Sequence, residues 1–183
     1  ISTLQKIKYT DLEGNFIARP KLRRNAVSQI YLHSTKSGMN SNPRKSSEFT
    51  KIDSLNFSGL HATQNLLQMH GSHRGFGSGA AVLRDSSSHS RSFEVQVDFD
   101  DIIINKDTLF TYGNLENAVS GSLTYSMIMN KSINGIPEET VIEGTIDLEE
   151  DGTALMKFYK YNRIYRLGLK DGDIKERGRK GGK

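Results

Sequence analysis

The chain has 183 residues and a mass of 20.5 kDa, which is the size of one domain. It contains no cysteine, which excludes disulfides and thiol catalysis, and no apolar run reaches the roughly 20 residues of a membrane-spanning helix. The net charge of +4 is unevenly distributed, since residues 1–91 carry +8, residues 92–174 carry −8 and residues 175–183 carry +4. Such an asymmetry is typical of proteins that contact polyanions or assemble through charge.

The first half of the chain shows a weak strand pattern. Residues 4–9 and 15–18 flank Glu13-Gly14 and predict a hairpin, and residues 26–33 predict a strand. Residues 34–50 are rich in Ser, Asn, Lys and Arg, which predicts a mobile loop because so little apolar surface is available to order them.

A helix and a glycine-rich segment are expected next. Residues 58–69 predict the one substantial helix, since Ser58 is an acceptable N-cap and apolar residues recur near helical spacing. Residues 69–85 read Met-His-Gly-Ser-His-Arg-Gly-Phe-Gly-Ser-Gly-Ala-Ala-Val-Leu-Arg-Asp. This segment lacks the lysine of a phosphate-binding loop and the preceding strand of a dinucleotide site. We interpret it as a flexible cationic loop that leads from the helix into the sheet.

The second half alternates clearly between apolar and polar residues. Phe93, Val95, Val97 and Phe99 alternate with polar neighbours, and the same period of two recurs over residues 123–129, 142–148, 154–158 and 165–169. Asn134-Gly135 and Asp151-Gly152 mark reversals, and the latter favours a type I′ turn. The sequence therefore predicts a mainly β fold, an antiparallel meander, sandwich or partly open barrel with one or two short helices, with α+β as the alternative. Residues 1–174 form the expected domain and residues 175–183 a basic tail.

Catalytic, metal and cofactor sites are not predicted. His70 and His73 lie on a glycine-rich segment without the rigidity that pre-sets a metal site, and the serines between Asp85 and His89 provide no oxyanion hole. Backbone freedom beside positive charge predicts polyanion contact instead. The residues expected to make it are Lys21, Arg23, Arg24, Arg74, Arg84 and Lys180.

Self-association is the second expectation. If the basic and acidic halves lie on different faces, the acidic strands of one copy pair head-to-tail with the arginines of the next. The acidic residues expected at the contact are Glu143, Asp147 and Glu149, with Met39 and Phe49 as apolar anchors.

The order of features resembles the matrix proteins of rhabdovirus-type negative-strand RNA viruses. The stretches that carry the likeness are Phe57-Ser-Gly-Leu-His-Ala-Thr-Gln-Asn-Leu-Leu, Gly75-Phe-Gly-Ser-Gly-Ala-Ala-Val-Leu and Gly121-Ser-Leu-Thr-Tyr-Ser-Met. The resemblance implies a non-enzymatic protein that self-associates and bridges a nucleocapsid to an anionic membrane, in the virion or in the cytoplasm or at the membrane periphery of the host cell.

A different class of protein fits the same hairpins and polar loops. An extracytoplasmic bacterial β-domain, lipocalin-like or a surface protein, would bind a ligand or a partner. The basic tail favours the assembly protein, because such tails attach to nucleic acid or anionic lipid.

Overall fold

The computed structural model describes residues 1–83, 87–161 and 163–176 and shows one open antiparallel sheet of ten strands. Neighbouring strands are consecutive in the chain, so the sheet is a meander, and the prediction of a mainly β antiparallel fold is confirmed. The strands are β1 Ser2–Thr10, β2 Gln29–Asn42, β3 Lys45–Ser58, β4 Leu66–Val82, β5 Ser88–Asn105, β6 Val119–Ile133, β7 Ile136–Glu149, β8 Thr153–Phe158, β9 Arg163–Gly168 and β10 Ile174–Glu176. One short helix, α1, spans Lys106–Tyr112 between β5 and β6.

The two faces of the sheet differ in chemistry. Directly paired residues of antiparallel strands place their side chains on the same face, so the register assigns each residue to a face. The apolar face carries Phe93, Val95 and Val97 of β5 together with their cross-strand partners. The polar face carries the intervening residues, among them Glu94 and Asp98, and is rich in Ser, Thr and charged side chains.

The two ends of the sheet also differ. At the loop end lie residues 11–28, residues 59–65, α1 and the β7–β8 turn, and the buried apolar side chains gather there. These buried side chains are Ile17, Ile102, Ala118, Val119 and Ala154. At the hairpin end lie the β2–β3, β4–β5 and β6–β7 turns. The core therefore occupies one end of the apolar face.

A line of irregular backbone crosses β4, β5 and β6 near the loop end. The register shifts between Met69 and Gly71 and between Asp100 and Ile103, which indicates β-bulges. Gly71 and Gly121 have φ of 141° and 121°, and a Cβ on either would overlap a backbone carbonyl of the adjacent strand. Both positions therefore require glycine.

The two predicted reversals use different turns. Asn134 and Gly135 have φ of 51° and 84° between the paired residues Ile133 and Ile136, as a two-residue type I′ turn requires. At Asp151-Gly152 only Gly152, among the described turn residues, has positive φ, and its N–H donates to the carbonyl of Glu149 at 3.2 Å. That loop has three residues, so the prediction of a type I′ turn there is wrong.

The helix predicted over residues 58–69 is absent from the described residues and is wrong. Ser58 ends β3, Gly59 turns the chain with φ of 77°, and Leu66 begins β4. The helix that does form is α1, where the Asn105 side chain accepts from the N–H of Thr108 at 3.1 Å. With seven residues, α1 is too short for an apolar period to reveal it.

The mobile loop predicted over residues 34–50 is also wrong. These residues form most of the β2–β3 hairpin. At its turn the Asn42 side chain accepts from the N–H groups of Arg44 at 3.0 Å and Lys45 at 2.8 Å. Serine, threonine and lysine occupy strand positions here because both faces of the hairpin tip are largely open to solvent.

The glycine-rich segment is a strand rather than a flexible contact loop. Residues 69–82 belong to β4, which pairs with β3 on one side and β5 on the other. The basic tail is also shorter than predicted, because Ile174–Glu176 forms β10 against β9. Residues 177–183 lie outside the described part of the chain.

Replacing Gly77 tests the close approach of β4 to its neighbours. A Cβ on Gly77 would lie 2.6 Å from the carbonyl oxygen of Glu48 and 2.8 Å from the Phe93 ring. We expect Gly77→Ala to destabilise the fold by about 1–3 kcal/mol, measured by urea unfolding at fixed protein concentration. Gly75→Ala is the matched control, since its nearest contact is His73 Nε2 at 3.6 Å. Equal stability of the two variants would contradict this packing.

Candidate functional site: the uncovered apolar face

The chain exposes far more surface than a compact protein of its mass. Its accessible surface is 12818 Å², whereas a folded monomer of this mass exposes about 8,900 Å². Among the described residues, no large side chain is fully buried. A single sheet has no second layer to cover its apolar side, which leaves that side open to solvent.

Apolar side chains near the hairpin end of the apolar face are partly exposed. Phe93 and Met129, which are cross-strand neighbours on β5 and β6, are 39% and 38% exposed. Ile133 and Ile136 beside the β6–β7 turn are 36% and 74% exposed on the same face. Together with Leu83, which follows β4, these residues form the exposed apolar patch, and the charged cross-strand row Arg91-Lys131-Glu138 interrupts it between the two pairs.

Glycine and phenylalanine alternate in one cross-strand row of the apolar face, which ends at Phe93 of the patch. Gly38, Phe49, Gly77 and Phe93 are successive cross-strand partners on β2 to β5. A Cβ on Gly38 would lie 2.6 Å from the Phe49 ring, and one on Gly77 would lie 2.8 Å from the Phe93 ring. Each ring therefore lies across a neighbouring glycine, and the glycines of β4 make space on the apolar face.

A groove runs along this part of the face. Its volume is about 800 Å³, within the range of small-molecule sites. Glycine and alanine of β4 form part of its lining, and Phe93, Val95, Met127 and Met129 supply apolar side chains. Lys45, Arg91 and Lys131 also line the groove, and Lys131 lies 4.0 Å from Glu138. The lining of the groove therefore combines apolar side chains with charged side chains that are mostly cationic.

An aromatic cluster covers the middle of the face. Tyr125 and Phe158 meet edge-to-face with ring centres 6.0 Å apart, and Phe158 meets Tyr165 in the same way at 5.6 Å. The Tyr125 ring lies over Gly144, and its hydroxyl donates to the Lys157 carbonyl at 3.2 Å. Burial, and secondarily the charge of Tyr159, raises the pKa of Tyr125 above its ordinary value of 10.0.

The acidic residues expected at a self-association contact all lie on β7 and on the polar face. Lys157 Nζ lies 2.6 Å from Asp147, and Arg166 lies 3.3 Å from Glu149, so two of the three already have partners within the chain. Glu143 is exposed. Arg74 lies on the same polar face as these carboxylates, whereas Arg91 lies on the apolar face, so the arginines are divided between the two faces.

The expected apolar anchors lie on opposite faces of the β2–β3 hairpin. Met39 is 78% exposed on the polar face. Phe49 lies on the apolar face, where its ring packs across Gly38. The two side chains therefore do not form one contact surface.

The predicted polyanion-binding residues divide into two separate places. Lys21, Arg23 and Arg24 are exposed at the loop end. Lys21 and Arg24 lie on two short 3-10 turns, Pro20–Leu22 and Arg24–Ala26, and Arg23 lies between the turns. Arg74 lies opposite Ile52, six residues before the end of β3, which is about 20 Å along the strand. Arg84 and Lys180 lie outside the described residues.

His70 and His73 point to opposite faces of β4 and cannot share a ligand. His73 Nδ1 lies 2.6 Å from Asp53 on the apolar face, and His70 Nδ1 lies 3.5 Å from Asp101. Residues 1–83, 87–161 and 163–176 contain no group of three or more His, Asp or Glu side chains placed to hold a metal ion. The described part of the chain also has no helix of the length and apolarity needed to span a membrane.

Searches against protein-family models, curated proteins and solved structures find no match for this chain. Its function is therefore inferred from the geometry of the sheet.

The raised pKa of Tyr125 gives a test of the aromatic cluster. The unfolded chain loses the phenol proton at lower pH than the folded protein, so this group lowers stability as pH rises above 10.0. We expect Tyr125→Phe to remove a tyrosine ionisation step above pH 10.0, measured by tyrosinate absorbance. Tyr161→Phe, at a site 54% exposed, should leave that step in place. Loss of this ionisation step in Tyr161→Phe but not in Tyr125→Phe would refute its assignment to Tyr125.

Proposed function

We propose that the protein is a non-enzymatic assembly protein that self-associates by packing its apolar face against the same face of a second copy. The observation that carries the proposal is the exposed apolar patch on a single-layer sheet. Domains bury a sheet face against another layer, and two sheets pack about 10 Å apart with their inner side chains interdigitated. The resemblance of the sequence to viral matrix proteins, which implies self-association, favours the same proposal.

The surface area supports an extensive contact. The chain exposes about 4,000 Å² more than a compact monomer of its mass. Stable interfaces bury about 1,200–2,000 Å² in total, and obligate dimers bury more. Because both copies offer the same patch, the contact is isologous and closes as a two-fold dimer rather than a filament.

Polyanion contact is the second part of the proposal. The loop that carries Lys21, Arg23 and Arg24 is fixed at both ends, since Ile17 is buried and the Ser28 N–H donates to the Thr10 carbonyl at 2.8 Å. At its start the Asp11 carboxylate accepts from the N–H of Asn15 at 2.8 Å, and this bond holds the pKa of Asp11 below its usual range. The three cations project from an ordered loop.

Two methionines on opposite faces test the dimer. We expect the wild-type protein to sediment as a dimer and Met129→Glu to shift it toward the monomer, because a charged carboxylate would replace an apolar side chain in the contact. The same substitution at Met39, on the polar face, should leave the dimer intact. Sedimentation velocity over a concentration series measures both. A monomeric wild type, or equal dissociation of the two variants, would contradict the proposal.

The salt dependence of self-association distinguishes the apolar face-to-face dimer from a head-to-tail contact based on charge. Apolar packing should survive about 1 M NaCl, where charges more than about 3 Å apart are screened. Dissociation at that salt concentration, or in Glu143→Lys at low salt, would support the head-to-tail contact instead and contradict the face-to-face dimer.

A ligand-binding β-domain is the second candidate function. The observation that favours it is the groove of about 800 Å³, whose apolar lining is joined by Lys45, Arg91 and Lys131. This combination fits an amphiphile with an acyl chain and an anionic head group. Native mass spectrometry distinguishes the two, because a monomer carrying a bound amphiphile supports this candidate and an unliganded dimer supports the assembly protein.

The loop cations predict salt-dependent binding to nucleic acid or anionic vesicles. We expect the triple variant Lys21→Gln/Arg23→Gln/Arg24→Gln to weaken binding and to flatten its dependence on salt, because fewer counterions are released. Lys157→Gln/Lys160→Gln/Lys170→Gln carries the same charge change elsewhere and serves as the control. Fluorescence anisotropy over a salt series measures the effect. Equal loss in both triple variants would show general charge attraction and contradict a loop site.

A further inference from the structure

The outer edge of β1 is open along most of its length. β1 is the first strand of the sheet, and among the described residues only Thr10 makes a strand bridge on its outer side, with Phe16. Residues 2–8 are exposed, and the Leu4 and Ile7 side chains are 56% and 42% exposed. The opposite edge strand, β10, has three residues in the described part of the chain. The longer described edge therefore belongs to β1.

The hydrogen bond beside this bridge shows which backbone groups of β1 point outward. The N–H of Ile17 donates to the carbonyl of Tyr9 at 2.9 Å, so the backbone of Tyr9 faces the outer side. Successive residues of a strand direct their backbone groups to alternate sides, so those of Thr3, Gln5 and Ile7 face outward as well. These three residues therefore offer an N–H and a C=O each to an added strand, in line with the segment around Ile17.

The side chains of this edge are cationic. β1 and β2 contain Lys6, Lys8 and Lys36 and no Asp or Glu. Lys6 and Lys8 lie on the polar face, and neither has an acidic partner within 4.0 Å in the part of the chain that the structure describes. Ile7 lies between them on the apolar face. Because opposite charges on paired residues are favourable, acidic side chains beside the two lysines would stabilise an added strand.

We propose that the outer edge of β1 binds an extended acidic segment of another polypeptide, which adds to the sheet as one more strand. The segment runs antiparallel to β1, as residues 15–17 already do, and its backbone pairs with Thr3, Gln5 and Ile7. Its acidic side chains pair with Lys6 and Lys8. A second copy of β1 would bring the same lysines and no carboxylate, so it is the poorer complement.

Short peptides of defined sequence test this strand pairing. In the capped peptide EVEVTVT, placed antiparallel along residues 8 to 2, the glutamates lie opposite Lys8 and Lys6 and the first valine lies opposite Ile7. QVQVTVT removes the charge, whereas EPEVTVT keeps the charge but lacks the N–H that would donate to the Ile7 carbonyl. We expect each of these two peptides to bind about fivefold more weakly than EVEVTVT. Amide chemical-shift titration of the full chain measures the affinities.

Substitutions in β1 separate the charge from the backbone pairing. Lys6→Gln/Lys8→Gln should bind EVEVTVT as weakly as the wild type binds QVQVTVT, and its affinity for QVQVTVT should be unchanged. Lys36→Gln/Lys51→Gln removes the same charge from the apolar face and should leave binding unchanged at physiological salt. Ile7→Pro removes an outward N–H that β2 does not use, so it should weaken binding of EVEVTVT about fivefold while the fold is kept.

The outcomes distinguish strand addition from other contacts. Shift changes centred on β1, with the expected order of affinities, support the proposal. Equal binding of EPEVTVT would show charge attraction without strand pairing, and equal binding of QVQVTVT would show no preference for acidic residues, so either would overturn it. It would also be overturned by β1 signals that shift with protein concentration alone, which would assign the edge to a second copy, or by no shift at millimolar EVEVTVT.

The test stays informative if Ile7→Pro fails to fold. The proline peptide removes the same kind of backbone bond from the partner strand and leaves the protein unchanged. The measurements use neither the apolar patch nor the cationic loop, so they are independent of the proposed function.

Discussion

An antiparallel sheet of ten strands with one apolar side needs something to cover that side. Here the loops and α1 cover only the loop end, where Ile102, Val119 and Ala154 are buried. Toward the hairpin end the same face carries Phe93 and Met129 more than a third exposed. The hydrophobic effect favours removing this area from water, whether a second copy or an amphiphile provides the cover. The assembly proposal follows from this requirement.

The meander also explains how the uneven charge of the sequence appears in space. Because each strand pairs with the next, the basic first half and the acidic second half lie side by side in one sheet. On the polar face, Lys6 and Lys8 of β1 lie at one edge, and Glu143 lies on β7. Cations also lie on the apolar face, among them Lys36, Lys51 and Arg91, so the charges differ between strands more than between faces. Lateral separation gives the polar face a cationic edge at β1 and acidic side chains on β7.

The strands with apolar-polar alternation could be predicted from the sequence, and the others could not. β5 to β9 alternate strongly, because their apolar-face residues are Phe, Val, Met, Ile and Tyr. On β2 to β4 the same face carries Lys36, Gly38, Lys51 and Gly75, so the contrast between faces disappears and the chain resembles loops. Glycines at every second position of β4 were the available signal, since alternate spacing places Gly75, Gly77 and Gly79 on one face of a strand. The cross-strand row Gly38-Phe49-Gly77-Phe93 needs the register of four strands, which local pattern does not provide.

Distances between copies test the covered apolar face most directly. The chain has no cysteine, so one introduced cysteine carries a unique spin label. Lys131 lies on the apolar face and its neighbour Asn130 on the polar face, and both are exposed. In a face-to-face dimer, pulsed electron paramagnetic resonance should give coupling between copies, with a shorter distance for the label at 131 than at 130. An absence of coupling for both labels, or a shorter distance at 130, would contradict the account.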